Sequence, residues 1–282
     1  MPFDKNANAV IIHHLARSEY NDNHNLITEH RIKIKILTDK GINNGDIHIT
    51  FYHKDDFEFL SGIDAVIRTY EPNGQCKTEH ISPKNIYTTK INQFRSETRF
   101  AMPNVKAGSI IEYTYFSNMK HYGGLEEWSF QSDLPTITSY YRLAIVSNAE
   151  FTCKIYKLPS LPIEIDNKKD GWVTYKMQNI PALRDEAYMD SQRDNLQHVT
   201  FHLSAVNTNG FKEKYINSWD EAARELLSTP ELGGQLNKSL YSTDDFIKAA
   251  KNISDLGERT KAVYAFVQQK ISLQRILQQV YC

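Results

Sequence analysis

Glu29-His30-Arg31-Ile32-Lys33-Ile34-Lys35-Ile36-Leu37 alternates without a break: His30, Ile32, Ile34 and Ile36 fall on one side, Arg31, Lys33 and Lys35 on the other. Side chains of an extended chain project to opposite faces with period two. A stretch of this kind therefore predicts a strand with one face on a core and one in water. Downstream, Asp46 to Tyr52 repeats the pattern with Ile47, Ile49 and Phe51. Between the two strands, Asp39-Lys40-Gly41 and Asn43-Asn44-Gly45 supply turn residues, because Gly and Asn tolerate positive φ. Ala65 to Tyr70, Glu71-Pro72-Asn73-Gly74 and Gln75 to His80 read as a hairpin with a tight turn. Further strands are predicted at Ser96 to Met102, Ser109 to Ser117, Thr138 to Val146, Phe151 to Leu158, Trp172 to Met177 and His198 to Ala205. Many short strands separated by turns favour a sandwich.

After Asn207-Thr208-Asn209-Gly210 the pattern changes period. Ser218-Trp219-Asp220-Glu221 has the form of a capping box, in which the serine accepts from an amide of the first turn. Ala222, Ala223, Leu226 and Leu227 continue a helical face as far as Pro230. A second helix is predicted through Phe246, Ala249, Ala250 and Ile253. A third starts near Asp255 and carries Glu258, Val263, Phe266, Val267 and Ile271. The expected class is mainly β: an antiparallel β-sandwich region followed by a short α-helical C-terminal part. The expected division is a sandwich over 1–147, with a break near Ser147-Asn148. A second β unit over 148–210 is packed on the first or continuous with it, and a helical segment covers 211–282.

The 33 basic and 34 acidic side chains nearly cancel, which argues against a nucleic-acid binder with a phosphate-neutralising basic surface. No apolar run approaches the roughly 18 residues of a spanning helix. Met1 to Ala9 lack the apolar middle of a signal peptide. Cys76, Cys153 and Cys282 are too few and too scattered for a disulfide framework or a zinc site, and at least one has no partner within the chain.

Residues that could carry chemistry read more simply as structure. A nucleophilic thiol needs a base and a cation or helix N-terminus to lower its pKa, and no motif surrounds any of the three cysteines. His198 and His202 share a strand face, but four residues at about 3.3 Å each put them roughly 13 Å apart, too far for one zinc ion. His13 and His14 are adjacent and point to opposite faces. Glu126-Glu127 and Asp185-Glu186 are sequence neighbours, unlike glycosidase carboxylates that face each other across a cleft. The Arg31, Lys33, Lys35 row reads as a solvated strand face, and Gly123-Gly124 as a turn. The aromatics Trp128, Trp172, Tyr140 and Tyr141 lie in or beside predicted strands; exposed in a row they could stack on sugar rings, and core packing explains them equally. The expectation is therefore no catalytic, metal or cofactor-binding residue, hence no enzyme; the alternatives are a carbohydrate- or peptide-binding module of the cell envelope and an enzyme with an unrecognised site.

Several stretches together resemble one family. They are Asn8-Ala9-Val10 with the strand that follows, His30 to Leu37, and above all Phe100-Ala101-Met102-Pro103-Asn104-Val105-Lys106-Ala107-Gly108-Ser109-Ile110-Ile111-Glu112-Tyr113. Trp128-Ser129-Phe130-Gln131, Pro135, Ser139, Ile180-Pro181-Ala182-Leu183, Glu186 and Tyr188-Met189 complete the series. The chain is similar over roughly residues 8 to 270 to the bacterial domain of unknown function, number 3857 in its series, that precedes a transglutaminase-like core in extracytoplasmic proteins. That resemblance implies a periplasmic or cell-surface location, a signal peptide not in this chain, and a scaffold or substrate-presenting role. It also implies, in a longer relative, a papain-like core using cysteine, histidine and aspartate in that order. The helix at Glu258 to Lys270 resembles the family's lead-in to that core. Ser272 to Cys282 depart from it, so the expectation is a chain truncated before the catalytic residues, with an apolar helical end exposed or covered by dimerisation.

Overall fold

The computed structural model describes residues 3–270 apart from 72, 121–124, 126, 145, 147, 169–170, 209, 216–217, 231, 237 and 239–242. Gly123, Gly124, Glu126, Ser147, Ile271 and the stretch from Ser272 to Cys282, all named above, lie outside the described residues. The chain forms two compact units, Met1–Tyr215 and Ile216–Cys282.

The first unit is built on an eight-stranded sheet. Its strands are β1 (Ala9–Tyr20), β2 (Leu26–Ile36), β4 (Glu58–Tyr70), β5 (Cys76–His80), β8 (Ile110–Met119), β10 (Thr136–Ala144), β12 (Ile163–Lys168) and β13 (Trp172–Ile180). Their spatial order is β12-β13-β10-β1-β2-β8-β4-β5. Six of the seven pairings along this path are antiparallel, but β1 and β10 lie parallel, with His14 beside Ser139, Ala16 beside Tyr141 and Arg17 beside Arg142. β10 in turn pairs with β13, so the large sheet takes strands from both sides of residue 147.

Two smaller sheets cover one face of the large one. The first contains β3 (Asp46–Tyr52), β6 (Tyr87–Lys90) and β7 (Arg95–Ala101). It contributes Ile47, Ile49 and Phe100 to a core shared with Ile32, Ile34, Ile36, Ile67 and Ile111. The second contains β9 (Trp128–Ser129), β11 (Ala149–Tyr156), β14 (His198–Thr208) and β15 (Phe211–Lys214). It closes a second core, in which Trp128 and Val199 meet Leu26, Tyr141, Leu143, Tyr175 and Met177. The two-faced reading of β2 holds residue by residue: every even position from Leu26 to Ile36 is buried, and Arg31 and Lys35 are exposed.

Local chemistry sets the connections. The turn leading into β8 places Gly108 at φ +87°, where a side chain would be strained, and its amide donates to the Ile36 carbonyl at 2.8 Å. Asp39–Gly45 forms a 3₁₀ turn, and a Cβ added at Gly41 would stand 2.2 Å from the Asn8 carbonyl oxygen. After α1 (Gln192–Asn195) of the first unit, the second unit begins with α2 (Trp219–Ser228), which follows Ser218, whose Oγ accepts from the Glu221 amide at 3.2 Å, as the capping box requires. The α3 turn (Gly233–Leu236) and α4 (Asp244–Lys251) follow. In α5 (Leu256–Lys270) the first-turn amide of Glu258 donates to Asp255 Oδ1 at 2.8 Å. Among the described residues no helix is long and apolar enough to cross a membrane.

Two histidines sit where the two cores meet. His30 stacks on Tyr115 (ring centroids 4.4 Å apart), His14 lies 4.4 Å from the Trp128 ring, and the two imidazoles are 6.0 Å apart. His14 Nε2 and His30 Nδ1 are shut off from solvent without a hydrogen-bond partner. Charging either ring there would strip it of water with no compensation. Burial, and then the charge of His13, pulls the His14 pKa down to about 4; burial, and then His14, pulls His30 down to about 3.

Two outcomes follow for stability. Ile111 is fully buried, so Ile111→Ala should cost about 2–5 kcal/mol by loss of buried methyls and the cavity left behind; a denaturant midpoint unchanged from wild type would contradict this packing. For the histidines, the unfolded chain takes up protons below the ordinary pKa of 6.5 and the folded chain does not. Their contribution is therefore complete above pH 6.5 and is lost as pH falls toward 4, at up to roughly 1.4 kcal/mol per pH unit for each ring. Urea unfolding at pH 7 and pH 5 should show the drop, and His14→Gln/His30→Gln should flatten it.

Candidate functional site

The sheet face opposite the two cores stays open to solvent, and two rows of side chains cross five of its strands there. In one row, Asp166 lies opposite Thr174, Thr174 opposite Arg142, Arg142 beside Arg17, and Arg17 opposite Glu29. In the next, Glu164, Lys176, Tyr140, Leu15 and Arg31 follow one another across the same strands. Strands about 4.8 Å apart make each row about 19 Å long. Three cations of these strands pair with carboxylates: Arg17 with Glu19 at 3.0 Å, Arg31 with Glu29 at 2.6 Å, Lys176 with Glu164 at 3.1 Å. Trp172, two residues before Thr174 on β13, lies under two guanidiniums, with Arg17 Cζ 4.6 Å and Arg142 Cζ 4.5 Å from the indole centroid.

The face is concave at this point. A hollow of about 360 Å³ is lined by Tyr140, Arg142, Glu164, Ile165, Asp166, Trp172, Thr174 and Lys176. A second, of about 250 Å³, adjoins it through the shared Tyr140 and Arg142 and is lined further by Leu15, Ala16, Arg17, Glu29 and Arg31. The first falls within the range of small-molecule pockets. This surface has the donors, acceptors and aromatic planes for binding.

The four aromatics singled out in the sequence divide between the two faces. Trp128 and Tyr141 are buried and stack on each other at 5.1 Å with planes 7° apart, and Trp128 Nε1 donates to Ser139 Oγ at 3.2 Å. Tyr140 and Trp172 face the hollow. They do not form one exposed row, because Tyr140 and Tyr141 are neighbours on a strand and must project oppositely. Arg31 of the charged row on β2 joins the site, whereas Lys33 pairs with Glu112 at 3.2 Å farther along the face.

Of the other residues singled out in the sequence, His198 and Glu127 come together, with His198 Nε2 3.9 Å from Glu127 Oε1. Cys76 and Cys153 are exposed on β5 and β11. Cys153 lines a small apolar pocket of about 100 Å³ with Phe151, Tyr175 and Phe201. His198 is buried against Tyr156, its Nδ1 within 2.8 Å of the Leu196 carbonyl, while His202 is exposed. His13 is half-buried, and burial followed by the Lys33 charge lowers its pKa. Glu127 pairs with Arg193 at 2.5 Å, Asp185 accepts from the Gln192 side chain, and Glu186 is exposed. Among the described residues no three His, Cys, Asp or Glu side chains are grouped to hold a metal ion. Sequence reasoning missed Arg17, Arg142 and Lys176. The only local sign of them was a charged residue on the outer face of a strand, which is the ordinary condition of such a position.

Among solved structures, the chain is similar to a provisionally named protease from Parabacteroides distasonis ATCC 8503, with 15% sequence identity and a TM-score of 0.62. The match covers 97% of this chain and 52% of that one, so the chain spans about half the length of that protein. At this identity the likeness is one of fold. An M1 zinc metallopeptidase from Deinococcus radiodurans matches with 8% identity and a TM-score of 0.31 over 69% of this chain and 42% of its own, too low to carry an argument. No curated protein matches. A family model matches residues 22–184, more than half of the 282. The chain belongs to that family, described as Domain of Unknown Function with solved-structure structure (DUF3857).

Proposed function

We propose that this chain is a non-catalytic β region that precedes a transglutaminase-like, cysteine-based core in a longer protein outside the cytoplasm, and that it positions that core or lends it substrate-facing surface. The observation that carries the reading is the half-length match: nearly all of this chain superposes on a protein named as a protease, and 52% of that protein is used in doing so. The second unit adds a physical argument. Leu226, Leu227, Leu236, Leu256, Val263 and Val267 are exposed on its helices, and an apolar surface of this kind gains free energy when another element covers it. A following core is the cover this reading assigns.

Two measurements test it. Reading the coding DNA past codon 282 in all three frames should reveal a cysteine followed by a histidine and an aspartate; a stop codon together with an intact mass ending at Cys282 would remove the longer protein. Separately, the purified chain should neither cleave casein nor incorporate an amine donor into it. Turnover that disappears on Cys76→Ser or Cys153→Ser would show a catalytic thiol and overturn the non-catalytic role.

A further inference from the structure

We propose that the hollow on the open face of the large sheet binds a linear, uncharged glycan, with Tyr140 as the stacking surface and the Trp172 ring as the platform that orders the Arg17 and Arg142 guanidiniums. The inference stands apart from the longer-protein reading, since it depends only on how β12, β13, β10, β1 and β2 are arranged. A sugar ring offers an apolar C–H face and a rim of hydroxyls that both donate and accept. The hollow supplies the complement to each: the Tyr140 ring for the first, and for the second the donors Arg142 and Lys176 interleaved with the acceptors Glu164 and Asp166.

The charge pattern decides against the other ligand classes. Across both hollows the cations Arg17, Arg31, Arg142 and Lys176 face the anions Glu29, Glu164 and Asp166, a surplus of one positive charge. A polyanion, nucleic acid included, would meet three carboxylates and displace few counterions. A purely apolar ligand would strip water from seven charged groups without replacing its hydrogen bonds. An extended peptide joins a sheet at an edge, where main-chain groups are free to pair; this site lies across the face, over strands that are paired on both sides except at β12. The two hollows meet at Tyr140 and Arg142 and run across the strands, so the ligand that fits them is elongated. Trp172 holds the two guanidiniums, which reduces the side-chain freedom lost on binding.

Affinity electrophoresis of the full chain tests this directly, in native gels containing mixed-linkage β-glucan, xylan or glucomannan as neutral probes. Gels with polygalacturonate, heparin or gelatin provide the anionic and peptide comparators. The expected result is retardation by at least one neutral polysaccharide. Tyr140→Ala should weaken it about ten-fold, the order expected for one lost stacking aromatic, and Trp172→Ala should weaken it by releasing Arg17 and Arg142. Trp172→Phe should retain part of the effect, and Trp219→Ala, an exposed tryptophan of the second unit, should leave it unchanged. If Tyr140→Ala or Trp172→Ala fails to fold by circular dichroism, Thr174→Ala and Glu164→Gln carry the test, each expected to weaken retardation. The proposal is overturned if none of the neutral polysaccharides retards the chain, if only the anionic or peptide gels do, or if retardation survives every folded variant of the hollow.

Discussion

The first unit depends on the parallel pairing of β1 with β10. Every other neighbour along the large sheet is antiparallel, and β1–β2, β4–β5 and β12–β13 are joined through short connections. The β1–β10 contact joins residues more than 120 apart and merges two groups of strands into one sheet. Without it, Ala16 would not lie beside Tyr141, and the second core would lose the strand that walls it on the β2 side. Closing so long a loop costs entropy before any contact repays it. The repayment comes from burying Tyr141, Leu143 and Trp128 together with Ala16 and Leu26.

The same pairing creates the hollow. Arg17 and Arg142 belong to strands far apart in the chain, and their side-by-side register brings both guanidiniums over the Trp172 ring. One strand thus serves both faces: on β10, Tyr141 stacks in the core against Trp128 while Tyr140 faces the open hollow. Period two makes the two roles inseparable, since a one-residue slip of β10 would place Tyr140 inside and expose Tyr141.

Polar groups inside the sandwich show which of its contacts are under tension. Ser18 and Thr28 satisfy each other at 2.7 Å, and Glu58, buried, accepts from Ser117 and from the Tyr52 amide, both at 2.8 Å. These pairs cost little, because each buried atom has a partner. His14 and His30 differ: each keeps a ring nitrogen unpartnered and is held neutral by burial. The seam between the two cores is therefore the part of the first unit that acidity weakens first. Carboxylates whose pKa is already lowered, such as Glu97 beside Arg99, lose their pairing only at lower pH.

What the sequence determined by itself is what a few neighbouring residues decide. The faces of β2, the span Asp46–Tyr52, the turn at Gly108 and the caps at Ser218 and Asp255 all follow from alternation, permitted φ or a hydrogen bond reaching three residues. The mainly β class with helices at the end was legible for the same reason. Strands without that local signal were not legible: Phe211–Lys214 is exposed throughout, and Ile163–Lys168 offers only two apolar residues. Only the tertiary structure decided that β1 runs parallel to β10, which of two adjacent tyrosines lies inside, and that Arg17, Arg142 and Trp172 meet. Alternation states that a strand has two faces; it carries no information about its partner or about which side a distant sheet will cover. The candidate site is made of those long-range choices, whereas most of the fold's elements are made of local ones.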